Sequence, residues 1–208
     1  MNKLIYRTES HARVEVETEE VYWFPQDLLE VYAWGDAKIG YKEEERSGSF
    51  EDCRHNFVLP KEAPNLHTDL SCLFRDAHKF DQSISNFDTS KVTNMDHMFY
   101  GAKSFNRSVK VFDTSNVIRM DGLFSNARAF DQSVSSFDTS NVTHMNHMFY
   151  GAHSFNRSVE NFDTSNVTHM NRMFQDAISF NQSLANFDIS KVYDMEYMFL
   201  DAKAFNQR

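Results

Sequence analysis

A pattern that returns every 25 residues constrains this chain more than any other feature. Five copies open with Phe followed by Asp, and the first complete copy reads FDTSKVTNMDHMFYGAKSFNRSVKV. A strict period of this length is typical of solenoids, in which no single repeat can bury its own apolar face and stacking supplies the core. The opening residues of the copies are Phe87, Phe112, Phe137, Phe162 and Phe187.

Within one copy, the apolar residues between 92 and 102 fall at i, i+3, i+6, i+7 and i+10. This is the spacing of one face of an α-helix, and it predicts a helix of about three turns. Residues 88–90, Asp-Thr-Ser, precede it, and their short oxygens can cap the free amides of a helix N-terminus. Gly101, near the end of the apolar stripe, would tolerate a left-handed C-terminal turn.

The short Ser108-Val109 segment that follows is the predicted strand of the repeat. One strand and one helix per repeat give an α/β, leucine-rich-repeat-like solenoid. Stacked strands lie about 4.8 Å apart whereas packed helices need about 8–10 Å, so we expect a curved stack with the strands on its concave side.

The repeat divides the chain into two parts. Residues 1–64 lack it and alternate like strands at residues 4–6 and 12–17, which predicts a small β-rich N-terminal cap. Residues 65–208 hold about six repeats, of which the first is degenerate and the last is truncated. The cap region is acidic, because residues 1–65 carry 14 acidic and 8 basic side chains.

The net charge of -9 disfavours nucleic acid and anionic membranes as partners, since phosphate binding needs clustered Lys and Arg. A basic protein is the natural complement. The opening MNKLIYRTES contains no apolar run long enough for a signal peptide or a membrane span. If Met1 is the native start, we expect a cytoplasmic protein. If the native chain has an export signal that this sequence lacks, we expect the protein on the cell surface. Cys53 and Cys72 are expected to be reduced thiols, with a disulfide as the unsupported alternative.

The repeats, for example FDTSNVTHMNHMFYGAHSFNRSVEN, resemble the 26-residue repeats of the BspA-like bacterial surface-protein family, which is loosely classed with leucine-rich repeats. The resemblance covers residues 65–208. It implies a right-handed solenoid used for binding, commonly on secreted or lipid-anchored proteins, and it carries over no catalytic residue.

Binding residues are expected at the outward positions that vary between repeats, since Tyr and Arg are frequent anchors of protein interfaces. Acidic residues of the cap are a second predicted docking patch, for a basic partner. The candidates are Asn94, Arg119, His144, His169 and Asp194 in one row, His97, His147, Arg172 and Tyr197 in the next, Tyr100 and Tyr150 beside them, and Glu43, Glu44 and Glu45 in the cap.

Two sets of side chains carry metal-ligating atoms, but each has a simpler role. His144, His147 and His169 could together hold zinc or nickel. We expect no metal there, because these positions face outward and no carboxylate is fixed beside all three. The repeated Asp that follows each opening Phe could bind calcium, but capping is the simpler role and calcium needs six or more oxygens. The sequence contains no nucleophile elbow, phosphate loop, Cys-x-x-Cys or HExxH motif, so we expect neither a cofactor nor an enzyme.

The leading hypothesis is a non-enzymatic protein-binding solenoid, with a cytoplasmic immunity or inhibitor protein against a basic toxin or effector domain as its specific form. The alternatives are a cell-surface adhesion or host-interaction module and a structural scaffold without a specific partner. The truncated last copy leaves an open stack end, which predicts a weak end-to-end homodimer.

Overall fold

The computed structural model describes residues 3–43 and 47–207, so Glu44 and Glu45 of the predicted acidic patch lie outside the described residues. Within those ranges the chain contains short strands and turns but no helix. The strands are β1 Leu4–Thr8, β2 Val14–Val16, β3 Leu28–Ala33, β4 Lys38–Ile39, β5 Tyr41–Lys42, β6 Ser47–Gly48 and β7 Asn65–Leu66.

The N-terminal region forms a three-stranded antiparallel sheet in the order β2-β1-β3. It includes the two strands that the alternating pattern predicts. Leu4, Tyr6 and Thr8 face inward and are buried, because successive side chains of a strand point to opposite faces. Two further pairs follow this sheet: β4 pairs in parallel with β7 at the start of the repeats, and β5 pairs antiparallel with β6 within the cap.

The repeats stack on one another, but the α/β strand-helix solenoid is wrong. Each repeat contributes one residue to a column of parallel β-bridges, and this residue lies inside the segment predicted to be a helix. No strand forms at Ser108-Val109, the predicted position. The curvature was predicted because helices pack farther apart than strands, and without helices that reason no longer applies. The bridge column runs through Asp69, Asn94, Arg119, His144, His169 and Asp194.

The hydrogen-bond acceptors of the backbone N–H groups explain why the segment between residues 92 and 102 is not a helix. The N–H groups of four alternate residues donate to carbonyls of the next repeat at 2.7–3.0 Å. Of the N–H groups between them, those of Met98 and Tyr100 close turns onto carbonyls three residues back, and that of Asp96 donates to the Asn94 side chain. No N–H is left for the helical i−4 carbonyl. The four pairs are Met95 to Arg119, His97 to Asp121, Phe99 to Leu123 and Gly101 to Ser125.

Left-handed residues every four positions produce the helix-like spacing of apolar side chains. His97 has φ of 57° and Gly101 has φ of 65°, and each occupies the third position of a hydrogen-bonded turn. This geometry is that of a type II turn, which needs a positive φ at that position. Two such turns in succession return side chains to the interior at intervals of three or four residues, as a helix would. Gly101 is therefore left-handed as predicted, although it ends no helix.

The Asp-Thr-Ser segment connects repeats instead of capping helices. The Asp88 carboxylate accepts a hydrogen bond from the Ser90 N–H at 3.1 Å, which is a local Asx turn. The Thr89 hydroxyl donates to the Asp113 carbonyl of the next repeat at 3.0 Å, and Thr89 is only 1% exposed. The equivalent Thr114, Thr139 and Thr164 repeat this bond.

Two columns of nearly parallel Phe rings run through the core. Along the first column neighbouring ring centroids are 4.7–5.8 Å apart, within the range of offset stacking. Within each repeat a ring of the second column stacks on the first at 3.8–4.2 Å. The first column is Phe24, Phe50, Phe74, Phe99, Phe124, Phe149, Phe174 and Phe199, and the second is Phe57, Phe80, Phe105, Phe130, Phe155, Phe180 and Phe205.

Hydrogen bonds between successive turns continue upstream of residue 65. The Phe50 N–H donates to the Leu73 carbonyl at 2.9 Å, and the Asp52 N–H donates to the Arg75 carbonyl at 2.8 Å. Phe50 also stands in the first ring column, between the cap and the repeats. The cap and the repeats thus share one continuous core.

We predict that Gly122→Ala destabilises the protein. Gly122 has φ of 59°, and a Cβ there would collide with Nδ1 of His97 in the preceding repeat. Backbone strain and overpacking together should lower the free energy of unfolding by about 2 kcal/mol or more. Urea unfolding measures the change. In a His97→Ala background the collision is gone, so the same glycine substitution should cost only the strain, about 1–2 kcal/mol; equal costs in both backgrounds would contradict this packing.

Candidate binding face

The bridge column places the first row of predicted binding residues in register on one surface. Its members are partly exposed, and in the four repeats from Asn94 to His169 the Met that directly follows each member in the chain is fully buried. The backbone carbonyl of each member accepts a hydrogen bond from an N–H of the preceding turn, so the stack fixes the backbone positions of the row. It comprises Asn94, Arg119, His144, His169 and Asp194, all brought together as predicted, and it begins one repeat earlier at Asp69.

The second predicted row occupies the left-handed position of the first turn in each repeat. His97, His147, Arg172 and Tyr197 have φ of 55–57°, and their side chains are partly or fully exposed. A left-handed backbone is costly for residues other than Gly, Asn and Asp, and here the stack holds it in place. We call the two rows together the bridge face.

Tyr100 and Tyr150 extend the bridge face by one further position. The ring centroid of Tyr100 lies 5.8 Å from that of His97, and the ring centroid of Tyr150 lies 6.0 Å from that of His147. At the C-terminal end, the guanidinium of Arg172 lies 5.2 Å from the ring centroid of Tyr197. These contacts hold aromatic and cationic side chains in one orientation, which is how such residues serve as anchors in interfaces.

Arg119 is braced between two carboxylates and so offers little free charge. Its Nε donates to Asp96 at 2.6 Å and its Nη2 donates to Asp121 at 2.9 Å. Burial raises the pKa of Asp96, and the hydrogen bond from Arg119 opposes that rise. Asp96 also accepts the Asp121 N–H at 2.7 Å, which links the two repeats. Arg119 is therefore mainly a structural residue of the bridge face.

His144 and His169 stack on each other instead of converging on a metal. Their ring centroids are 4.8 Å apart with planes inclined by 6°, and each Nδ1 is hydrogen-bonded to the hydroxyl of the preceding Thr. Burial and then the charge of Arg172 lower the pKa of His147. Among the described residues, no group of three His, Cys, Asp or Glu side chains is arranged to hold a metal ion.

The carboxylate of the Asp that follows each opening Phe accepts a hydrogen bond from the backbone nearby. Asp88, Asp113, Asp138, Asp163 and Asp188 each accept the N–H of the Ser two residues later at 2.9–3.1 Å. Hydrogen bonds from that Ser lower the pKa of four of them. The Asx turn accounts for these side chains without calcium.

An acidic groove adjoins the N-terminal end of the bridge face. Glu19, Glu20 and the predicted residue Glu43 line it together with Lys38, Tyr41 and His67. The Tyr41 N–H donates to the Asp69 carbonyl at 3.0 Å, so the groove lies next to the first residue of the bridge column. Sequence reasoning missed Asp69, which stands 25 residues before Asn94 and could have been found from the period alone.

A family model described as "Mycoplasma protein of unknown function, DUF285" matches residues 49–152 and 132–208, which together make up more than half of the chain. The first match begins close to Phe50, where the hydrogen bonds between turns begin. No curated protein and no solved structure matches this chain. Within residues 3–43 and 47–207 there is no helix that could cross a membrane.

We predict that Arg119→Leu destabilises the protein more at pH 7 than at pH 4. A carboxyl whose pKa is raised on folding favours the folded state below its unfolded pKa and loses that contribution as the pH rises through its folded pKa. Removing Arg119 should raise the pKa of Asp96 further. The loss at pH 7 should be about 1.5–3 kcal/mol, the usual range for hydrogen bonds to charged groups, and it should shrink at pH 4.

Urea unfolding of both proteins at the two pH values provides the measurement. Arg107→Leu is the matched control, because Arg107 pairs with Asp81 at 2.8 Å with more than half of its side chain exposed. Such a pair contributes little, so its loss should cost under about 1 kcal/mol at either pH. A loss for Arg119→Leu that does not depend on pH would show that Asp96 is not the group involved.

We predict that both thiols are protected in the folded protein. Cys53 and Cys72 are free and buried. Burial raises the pKa of Cys53, and burial together with the charge of Glu51 raises that of Cys72 to about 11. Since the thiolate is the reactive form, a thiol reagent at pH 8 should label neither residue quickly until guanidinium unfolds the chain, when both should react. Rapid labelling of the native protein would contradict the burial.

Proposed function

We propose, from the premise that this chain belongs to the DUF285 family, that it is a non-enzymatic module that binds another protein along its bridge face. The observation that carries this proposal is a contrast between positions within the repeat. The core Phe and Ala keep their chemistry from copy to copy, and the bridging Thr does so in four of the five copies, whereas the bridge row changes at almost every step. From Asp69 to Asp194 it reads Asp, Asn, Arg, His, His, Asp.

A constant scaffold with a variable surface row suits recognition of one particular partner. Side chains on a rigid backbone lose little conformational freedom on binding, so fewer contacts are needed for a given affinity. The exposed Arg172 and Tyr197 at one end, and the partly exposed His and Tyr side chains in the middle, supply anchor types that are enriched in interfaces. A uniform scaffold without a specific partner would have no need of this variation.

Charge favours a partner that is basic where it meets the cap. The acidic groove of Glu19, Glu20 and Glu43 continues the bridge face, and the chain as a whole carries -9. A basic segment of the partner placed in this groove would be attracted electrostatically, which mainly raises the association rate. The specific form of the proposal is an immunity or inhibitor protein that neutralises a basic toxin or effector domain in the cytoplasm.

The narrower resemblance to BspA-like repeats belongs to the competing proposal, a surface adhesion or host-interaction module. It uses the same bridge face but a different partner and location. The two proposals are separated by where the ligand is found, so one capture experiment addresses both.

We predict that the immobilised protein captures one basic protein, in stoichiometric amount, from a lysate of the source cells, and that high salt releases it. Replacing Arg172 and Tyr197 together by Ala should weaken binding at least tenfold at any salt concentration, because these are anchors. Replacing Glu19, Glu20 and Glu43 by Gln should mainly slow association and reduce its dependence on salt. Surface plasmon resonance with the purified partner separates the two effects.

Arg157→Ala is the matched control, because Arg157 pairs with Asp131 in another row of the repeat. It should leave the affinity unchanged. Binding that is insensitive to the Arg172 and Tyr197 replacement would place the ligand elsewhere and overturn the bridge-face proposal. Capture of nothing from the lysate, with binding to intact cells instead, would favour the adhesion module.

A further inference from the structure

One Asn or Asp residue per turn of the stack links its side chain to the backbone of the next turn. Its Oδ1 accepts a hydrogen bond from the N–H of the equivalent residue, 25 positions later, at 2.9–3.1 Å. This bond recurs at each junction from residue 56 to residue 206, and the residues themselves are exposed or partly exposed. We call this series the surface ladder: Asn56, Asp81, Asn106, Asp131, Asn156, Asn181 and Asn206.

The residue 26 positions after each ladder residue depends on whether that ladder residue is Asp or Asn. An Asp is matched by an Arg, whose Nη2 donates to Oδ2 at 2.7–2.8 Å and whose Nε donates to the Asp carbonyl at 2.9 Å. An Asn is matched by a Gln, whose Nε2 donates to Oδ1 at 2.8–3.1 Å. The Asp–Arg pairs are Asp81–Arg107 and Asp131–Arg157, and the Asn–Gln pairs are Asn56–Gln82, Asn106–Gln132, Asn156–Gln182 and Asn181–Gln207.

Exchanging the partners would bring unsuitable groups together. An Asp has a second carboxylate oxygen that accepts from the guanidinium, whereas an Asn has an NH2 group there. Beside Arg, that NH2 group would place a donor against a donor. Beside Gln, an Asp would leave Oδ2 without the charged partner that it has at Asp81 and Asp131. Each pair is exposed and contributes little by itself, but it distinguishes one type of junction from the other.

The two junctions with an Asp–Arg pair also have a steric fit around a glycine. A Cβ on Gly101 would collide with Oδ1 of Asp76 in the preceding repeat, and a Cβ on Gly151 would collide with Oδ1 of Asn126. From Asp76 to Gly151 this position therefore alternates between a polar side chain and the glycine that makes room for it. The ladder pair and the glycine fit return together, every two repeats.

The core does not distinguish one repeat from another, because each contributes the same pair of Phe rings and the same Ala. If one repeat were left out of the stack, the Phe columns could still close, but the ladder pairs and the glycine fits would be lost. Without residues 87–111 the new neighbours are Asp81 with Gln132 and Asp76 with Asn126, and without residues 112–136 they are Asn106 with Arg157 and His97 with His147 in place of Gly122.

We propose that the surface ladder and the glycine fits form a matching code, which determines which repeats can be neighbours in the stack. The code opposes arrangements in which a single repeat is skipped or displaced, although the core would accept them. It thereby holds the side chains of the bridge row in one order, from Asp69 to Asp194. This proposal rests on the contacts within the stack and is independent of whether the bridge face binds a partner.

Two exchanges of repeats within the full chain test the proposal without changing its composition. The adjacent exchange swaps residues 87–111 with residues 112–136, and it creates all the mismatches described above. The alternate exchange swaps residues 87–111 with residues 137–161, and it keeps a matched ladder pair at every junction and a glycine after Asp76 and after Asn126. Both exchanges separate Arg119 from Asp96, so that loss cancels when the two variants are compared.

Urea unfolding measures the folding equilibrium constant of each variant. The alternate exchange should stay within about threefold of the parent chain, although it also separates His144 from His169. The adjacent exchange should lower the constant by about tenfold or more, because side-chain collisions add to the polar mismatches. Failure of the adjacent exchange alone to fold would support the proposal in the same way.

Point variants separate the ladder pair from the glycine fits. Asp131→Asn places an NH2 group against the guanidinium of Arg157, so the folding equilibrium constant should fall about threefold. Adding Arg157→Gln should recover most of that loss, because it re-creates the Asn–Gln pair of the neighbouring junctions. The proposal would be overturned by equal stabilities of the two exchange variants, by a less stable alternate exchange, or by unfolding of both. A double variant no more stable than Asp131→Asn would overturn it too.

Discussion

Hydrogen bonds between equivalent peptide groups of successive repeats are the interaction on which the rest of this structure depends. Alternate N–H groups of each repeat leave their own turn to join the next one, so a single repeat cannot satisfy its backbone alone. These bonds hold equivalent residues one strand spacing apart. Aromatic rings at one repeat position, such as Phe99 and Phe124, then meet as an offset stack. Backbone pairing and ring stacking therefore require the same 25-residue period, which explains why the sequence keeps it strictly.

The period made the stacking and the core residues predictable, but not the local conformation. Apolar spacing of three and four residues is the same for a helix and for successive type II turns, so the pattern between residues 92 and 102 could not separate them. A signal was available at the left-handed positions. Gly122 stands where other copies have His97 and His147, and Gly101 stands where another has Asn126. Gly and Asn at four-residue intervals are turn residues, and they are poor choices inside a helix.

Some parts of the candidate site could be predicted from the sequence, and others could not. The bridge row could be predicted because one period relates all its members, and rows of equivalent residues must lie in register. The acidic groove could not, since the contact between Tyr41 and Asp69 depends on the cap, which has no repeat to guide it. The histidine pair illustrates a third case: the period correctly brings His144 beside His169, but the preceding Thr hydroxyls engage their Nδ1 atoms, and this depends on local geometry.

The bridge face could recognise a partner mainly through its side chains. The backbone carbonyls of the bridge row accept hydrogen bonds from the preceding turn of the stack, so selectivity must come from the differences between repeats, such as Asn94, Arg119 and His144 at equivalent positions. Substitutions on the bridge face should therefore change which partner is chosen. Substitutions in the two Phe columns should change the stability of the stack and not the choice of partner, because those rings are buried.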